Sequence, residues 1–229
     1  MLFPKDGSIA INGFDPRKRK PSFLETVYFL PEEVNVPALT IKGYLNLFSP
    51  FYPRFDENLF YRALAVLEVK TLGKLTTLSF GQQKKFAIAF ALACNTKVLL
   101  LDEPTNGMDI PSKTQFRKLI SADFTRSRML LISTHQVRDL DNLIDQVIIV
   151  DGGRLLLHTS MEEITEKLCF KTVHDLPAEP DGLLYAEPSL KGISVVMKNL
   201  DNEDSKINLE HLFNAVTEQP AKTKDIFAH

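Results

Sequence analysis

The chain has 229 residues, enough to bury one or two hydrophobic cores. Its 27 Lys and Arg against 29 Asp and Glu leave a net charge of -2, which excludes a global basic field that would gather nucleic acid or anionic lipid. The longest apolar runs, FAIAFALAC and VLLL, fall well short of the roughly 20 residues of a membrane-spanning helix, and MLFPKDGSIAING turns polar too early for a signal peptide.

In chain order, GSIAING (7–13) alternates and ends in Asn-Gly, predicting a short strand and a turn. TVYFLP (26–31) predicts a second strand, closed by Pro31. From Thr40 to Leu67 the apolar spacing is helical, interrupted by the aromatic link FSPFYPRFD. The aromatics Phe48, Phe51, Tyr52, Phe55, Phe60 and Tyr61 read mostly as core packing, with one or two free to line a docking groove. Ser79 opens a helix that runs to Cys94, a small core residue in an apolar run. Cys94 and Cys169 make no metal-spaced or redox pair, as in a reducing compartment.

KVLLLDE (97–103) and RMLLIST (128–134) predict buried strands, each followed by a helix, over 111–124 and 137–144. QVIIVDGGRLLLH predicts two antiparallel strands around Asp151-Gly152-Gly153, and a short helix follows at about 160–168. The tail, 169–229, is broken early by Pro177, Pro180 and Pro188, then offers an alternating stretch at 193–198 and an amphipathic helix at 208–216. Apolar strands alternating with helices predict an α/β fold with a mainly parallel sheet covered on both faces.

Two stretches carry chemistry. In LLLDEPTNGMD, Asp102 and Glu103 fall at the carboxyl end of a buried strand, where ligands of open parallel sheets collect. One acid there can hold a metal's hydration shell while its neighbour polarises an attacking water; two acids capping a solvated loop fit the bare pattern equally well. In LSFGQQKK, Ser79 and Gln82 form a capping-box pattern beside the small Gly81, at a helix N-terminus whose free N–H groups suit an anion. Alone, that stretch is an ordinary capped helix.

The ordered set is more specific than its parts. LSFGQQ, an apolar helix, VLLLDEPTNGMD and a strand ending in STH, in that order, resemble the nucleotide-binding subunit of ABC transporters over roughly residues 1–165. The resemblance implies a sheet of the P-loop NTPase (ABC ATPase) type with a helical subdomain at about 37–95, the ATPase domain ending near 168 and an accessory region at 169–229. It makes LSFGQQ the signature sequence, in which Ser79, Gly81 and Gln82 face nucleotide. Asp102 becomes the metal-holding acid, Glu103 the catalytic base and His135 the switch histidine, with Asn106, Gly107, Met108 and Asp109 as the D-loop. His158, His174, His211 and His229 read as surface residues. Where the family carries a glutamine that touches magnesium, YFLPEE places Glu32; this and Phe80 resemble the ABC-2 and antibiotic-exporter branch.

The implied ligands are ATP and Mg. The implied partners are a transmembrane permease subunit and a second ABC ATPase subunit, with no nucleic acid, which places the chain in the cytoplasm, peripheral at the inner face of the membrane. A soluble ABC ATPase acting on DNA or ribosomes is a lesser alternative, because the chain has one signature and a compact helical segment.

The phosphate-gripping loop, Gly-x4-Gly-Lys-Ser/Thr, does not occur in the chain. The Lys-Thr pairs at Lys70, Lys113, Lys171 and Lys222 follow Val69, Ser112, Phe170 and Ala221, and Gly73-Lys74 is followed by Leu75. LFPKDGSIAING resembles the family segment that follows that loop, so the resemblance implies a chain starting at an internal methionine, without the family's first strands. Three expectations follow: an edge on VLLLDE that is unpaired or covered some other way, no ATP turnover by the chain alone, and a non-catalytic cassette as a further reading.

Overall fold

A computed structural model describes residues 6–123, 128–137, 143–176 and 182–228. The helix expected over 137–144 falls largely outside these residues. Two compact units divide the chain, Met1–Asp139 and Leu140–His229.

The first unit contains α1 (Pro21–Leu24), β1 (Val27–Leu30), α2 (Ile41–Phe48), α3 (Glu57–Val66), α4 (Phe80–Ala93), β2 (Val98–Asp102), α5 (Ile110–Asp123) and β3 (Met129–Ser133). Its sheet is parallel throughout, in the order β1-β2-β3, with Leu30 opposite Leu101 and Leu101 opposite Ile132. β2 is therefore central and paired on both sides, so of the two outcomes expected for the VLLLDE edge it is the covered one that is found. The outer strands are β1 and β3, and β3 is not buried as its run of apolar residues suggested: Met129 is 64% and Leu131 50% exposed. Phe29 shares a cross-strand row with Leu100 and Leu131 and is also exposed, so among the described residues this apolar sheet face is uncovered.

Residues 7–10 form no strand. Ile11 and Phe14 instead exchange both backbone hydrogen bonds across Asn12 and Gly13, which have φ of 49° and 78°. A two-residue turn of this kind closes a single bridge and needs a longer pair of flanking strands to become a hairpin.

Side-chain caps fix the helix starts. Thr40 accepts from Gly43 N–H, Asp56 from Leu59 N–H and Ser79 from Gln82 N–H. α4 is buried without a break from Phe86 to Ala93, as befits a helix apolar all round. The Phe90 ring lies 5.0 Å from Tyr44 of α2, 5.3 Å from Phe55 and 6.1 Å from Tyr52, so Tyr52 and Phe55 of the link pack half-buried onto the core. Phe51 and Tyr61 are exposed. Cys94 is buried among the same rings, and burial pushes its thiol far up.

The second unit contains β4 (Gln146–Asp151), β5 (Arg154–Ser160), α6 (Met161–Lys167), β6 (Leu168–Val173), β7 (Leu183–Ser189), β8 (Gly192–Lys198), α7 (Leu209–Glu218) and α8 (Pro220–Phe227). β4 and β5 form the expected hairpin. The tail is more regular than its prolines suggested: β6, β8 and β7 make an antiparallel sheet, with Pro188 in the outer strand β7, where a missing N–H costs least. α7 buries Leu209, Leu212, Ala215 and Val216, packing against strands of both sheets. The division therefore falls ahead of residue 168, because the hairpin packs with tail elements.

Candidate functional site

The three parallel strands of the first unit end at one edge of the sheet, which gathers Glu32, the Asp102–Glu103 pair and the segment from Ser133 to Gln136. β2 and β3 end in register, Asp102 opposite Ser133, and the Ser133 hydroxyl donates to Asp102 Oδ1 at 2.5 Å. The second Asp102 oxygen makes no hydrogen bond within the described chain.

Glu103 leaves the strand with φ +43°, a left-handed conformation that costs a non-glycine residue about 1 kcal/mol or more unless neighbours over-determine it. Here they do. Its N–H donates to Ser133 O at 2.9 Å. Its carbonyl accepts from Asn106 N–H at 3.2 Å and from Lys84 Nζ at 2.6 Å. Oε1 accepts from His135 N–H at 2.8 Å and faces His135 Nδ1 at 2.7 Å, while Oε2 accepts from the Thr134 hydroxyl at 2.9 Å. With Glu103 ionised, the His135 proton sits on Nδ1, and Nε2 of this 70% exposed ring carries the free lone pair.

Glu32 is tied to the same edge. Asn106 Nδ2 donates to Glu32 Oε1 at 2.6 Å, Gln136 Nε2 reaches Asn106 Oδ1 at 3.5 Å, and Lys113 Nζ donates to Gln136 Oε1 at 2.7 Å. A chain of polar contacts thus runs from the loop after β1, through the turn after β2, to the segment after β3 and on to α5.

The signature residues divide. Ser79 caps α4, and Gly81 has room for a side chain: a Cβ there would meet nothing nearer than Gly107 O at 3.9 Å. Its smallness is therefore not demanded by packing within the chain. Gln82 is turned inward, its Oε1 accepting from Lys70 N–H at 2.9 Å and its Nε2 donating to Glu68 O at 3.2 Å. Asp109 caps α5 through Ser112 N–H at 2.9 Å, and the hydrogen bonds from Ser112 hold its carboxyl below the ordinary range. The Phe80 ring lies over Gly107, where a Cβ would come within 3.3 Å of it and where φ is +77°. Beside it opens a cleft of about 380 Å³ lined by Glu32, Asn35, Phe80, Gln83, Lys84 and Asn106.

Lys84 was missed in the sequence. It is 1% exposed, the only fully buried lysine among the described residues. Burial pulls its ammonium down from the ordinary value, and the carboxylates of Glu32, Glu103 and Asp102 push it back up. The available signal was helical spacing: Lys84 shares a face with Ile88 and Ala91, which are core. Ser133, Thr134 and Gln136, which orient the acids, carry no signal beyond following a strand.

Among the described residues no three of His, Cys, Asp and Glu group to hold a metal. A magnesium ion asks for less: one or two carboxylates, with waters and phosphate oxygens filling the octahedron. The free oxygen of Asp102 fits that demand, whereas Glu32 already gives one oxygen to Asn106.

The ABC transporter family pattern matches residues 1–106. The ABC transporter ATP-binding protein YtrB of Bacillus subtilis (strain 168) is 20% identical over 99% of this chain and 80% of its own length. The ribose import ATP-binding protein RbsA of Caldanaerobacter subterraneus is 31% identical over 63% of this chain, which spans only 29% of that relative. Among solved structures, the ATP-binding subunit of an ABC transporter superposes with a TM-score of 0.61 at 21% identity, covering 70% of each chain, which shows the fold. No helix of the described residues is long and apolar enough to cross a membrane. Taken with a strand-end acid pair in the order the resemblance implied, these matches make the chain similar to the ATP-binding subunits of ABC transporters.

Proposed function

We propose that the chain is the ATP-hydrolysing subunit of an ABC transporter. It works at the cytoplasmic face of a membrane by driving a permease subunit, with a second ATP-binding subunit as partner. The observation that supports this most is the Glu103 side chain, held at the end of β2 by three donors from Thr134 and His135. A carboxylate locked in one orientation, its proton partner alongside, is a base preorganised to take a proton from water. His135 keeps Nε2 free to contact a γ-phosphate, and Asp102 offers its free oxygen to the magnesium shell. Magnesium, when bound, offsets the charge of the phosphate oxygens. Ser79 and the open Gly81 present the N-terminus of α4 to nucleotide carried by the second subunit, whereas Gln82 and Asp109 serve by holding that face in shape.

A second reading is a non-catalytic cassette that lends a competent partner its signature face, for which Ser79 and the open Gly81 at the start of α4 suffice. Phosphate release separates the two. The chain alone should give no turnover, and the chain joined to a phosphate-loop strand and helix should hydrolyse ATP. Absence of turnover in the joined protein, with ATP bound, supports the non-catalytic reading.

A further inference from the structure

Lys84 points to a role that a purely structural helix residue would not need. It projects from the first turn and a half of α4 and places its ammonium 2.6 Å from the Glu103 carbonyl. It lines the same cleft as Glu32 and Asn106, and Asn106 itself bonds both Glu32 Oε1 and, through its N–H, the Glu103 carbonyl. A buried ammonium is stable only where opposite charge surrounds it, and buried carboxylates repel one another unless a cation sits between them. Three acids converge on this edge of the sheet, and Lys84 is the one fully buried cation there among the described residues.

We propose that Lys84 is a resident counter-cation of the strand-end acids: a positioning residue that fixes the left-handed Glu103 and offsets Glu32, Asp102 and Glu103 when no divalent metal is bound. The inference rests on the proposed assignment of Asp102 as a metal-holding residue. Its consequence is twofold. The acid edge keeps its shape without a metal, and a divalent cation enters against a fixed positive charge, so the subunit holds metal weakly until phosphate oxygens help to bind it. Coulomb repulsion between a buried ammonium and a divalent ion held by the same group of acids is enough to lower affinity by about tenfold or more, even at a high effective dielectric constant.

The test is Mn²⁺ binding to the 229-residue chain, followed by the electron paramagnetic resonance of free Mn²⁺, for the wild type and three variants. Lys84→Gln keeps a donor for the Glu103 carbonyl but removes the charge, Lys84→Met removes both, and Lys84→Arg keeps the charge. Affinity should rise by about tenfold or more in Lys84→Gln and Lys84→Met and stay near wild type in Lys84→Arg. Equal affinity in all four proteins, or binding in none, overturns the proposal, while the proposed function is judged separately by phosphate release. If the variants do not fold, hydrogen exchange of the wild type decides. The Glu103 and Asn106 amides should be equally protected in chelator and in excess Mn²⁺. A gain in protection of about tenfold or more on adding metal shows that the metal, not Lys84, organises the edge, and overturns the proposal.

Discussion

The two units handle polar side chains in opposite ways. In the first, three parallel strands of almost continuous apolar sequence end together, and the polar residues just beyond them, Glu32, Asp102, Glu103, Thr134, His135 and Gln136, are joined with Asn106 and Lys84 into one network. In the second, antiparallel strands carry polar residues along their length, and the side-chain bonds fall in small separate groups, such as Lys171 with Glu203 at 2.8 Å and Tyr185 with Glu187 at 2.9 Å. Parallel topology concentrates chemistry at one edge, because every strand of the sheet stops there. Antiparallel topology returns each strand to the opposite edge and disperses it.

The sharpest way to stress that comparison is to remove core from each unit. Phe90→Ala empties the centre of the aromatic cluster under the parallel sheet and should cost about 3–5 kcal/mol in chemical denaturation. Leu212→Ala on the buried face of α7 should cost about 2–5 kcal/mol while leaving exchange protection at Glu103 unchanged. Loss of protection at Glu103 in that variant would break the distinction between the units.

Asn106→Ala tests the network itself. It frees Glu32 and removes the acceptor of Gln136, at a cost of about 1–3 kcal/mol, more than the same change at Asn214, whose amide bonds only the Tyr185 hydroxyl. Equal costs would mean that the strand-end bonds are no more coupled than surface ones.

The smallest effect concerns pH. The hydrogen bond from Lys171 holds the Glu203 carboxyl below its ordinary range. Its folded value lies under its unfolded one, so the pair's contribution is full above the ordinary carboxylate range and is lost as pH falls through the lowered value. Denaturation midpoints of wild type and Glu203→Gln should therefore converge on acidification. Midpoints that keep their separation in acid would show that the pair is not the cause.

Much of this was legible in the sequence because the signals were local. The capping box at Ser79, the apolar runs at 98–101 and 130–132 and the acids after them place α4, β2, β3 and the site edge directly. What was not legible depended on pairing. Sequence does not say which strand lies between two others: the edge at 97–103, expected to be unpaired or covered some other way, is paired, and the outer strands are β1 and β3. Nor does an alternating stretch at 7–13 become a strand without a partner. Gln82 was expected to face nucleotide, and its inward turn follows from a loop at 68–70 whose backbone groups need it. Lys84 carried no signal except its helix phase, which it shares with the buried Ile88 and Ala91.

The most direct test of the strand-end site is phosphate release by the chain joined to a phosphate-loop strand and helix, with Glu103 or with Glu103→Gln. The amide keeps the shape of the side chain but takes no proton. Turnover should fall to background in Glu103→Gln while Mg-ATP binding, read by isothermal titration, is retained. Near wild-type turnover in Glu103→Gln would contradict the assignment of Glu103 as the base.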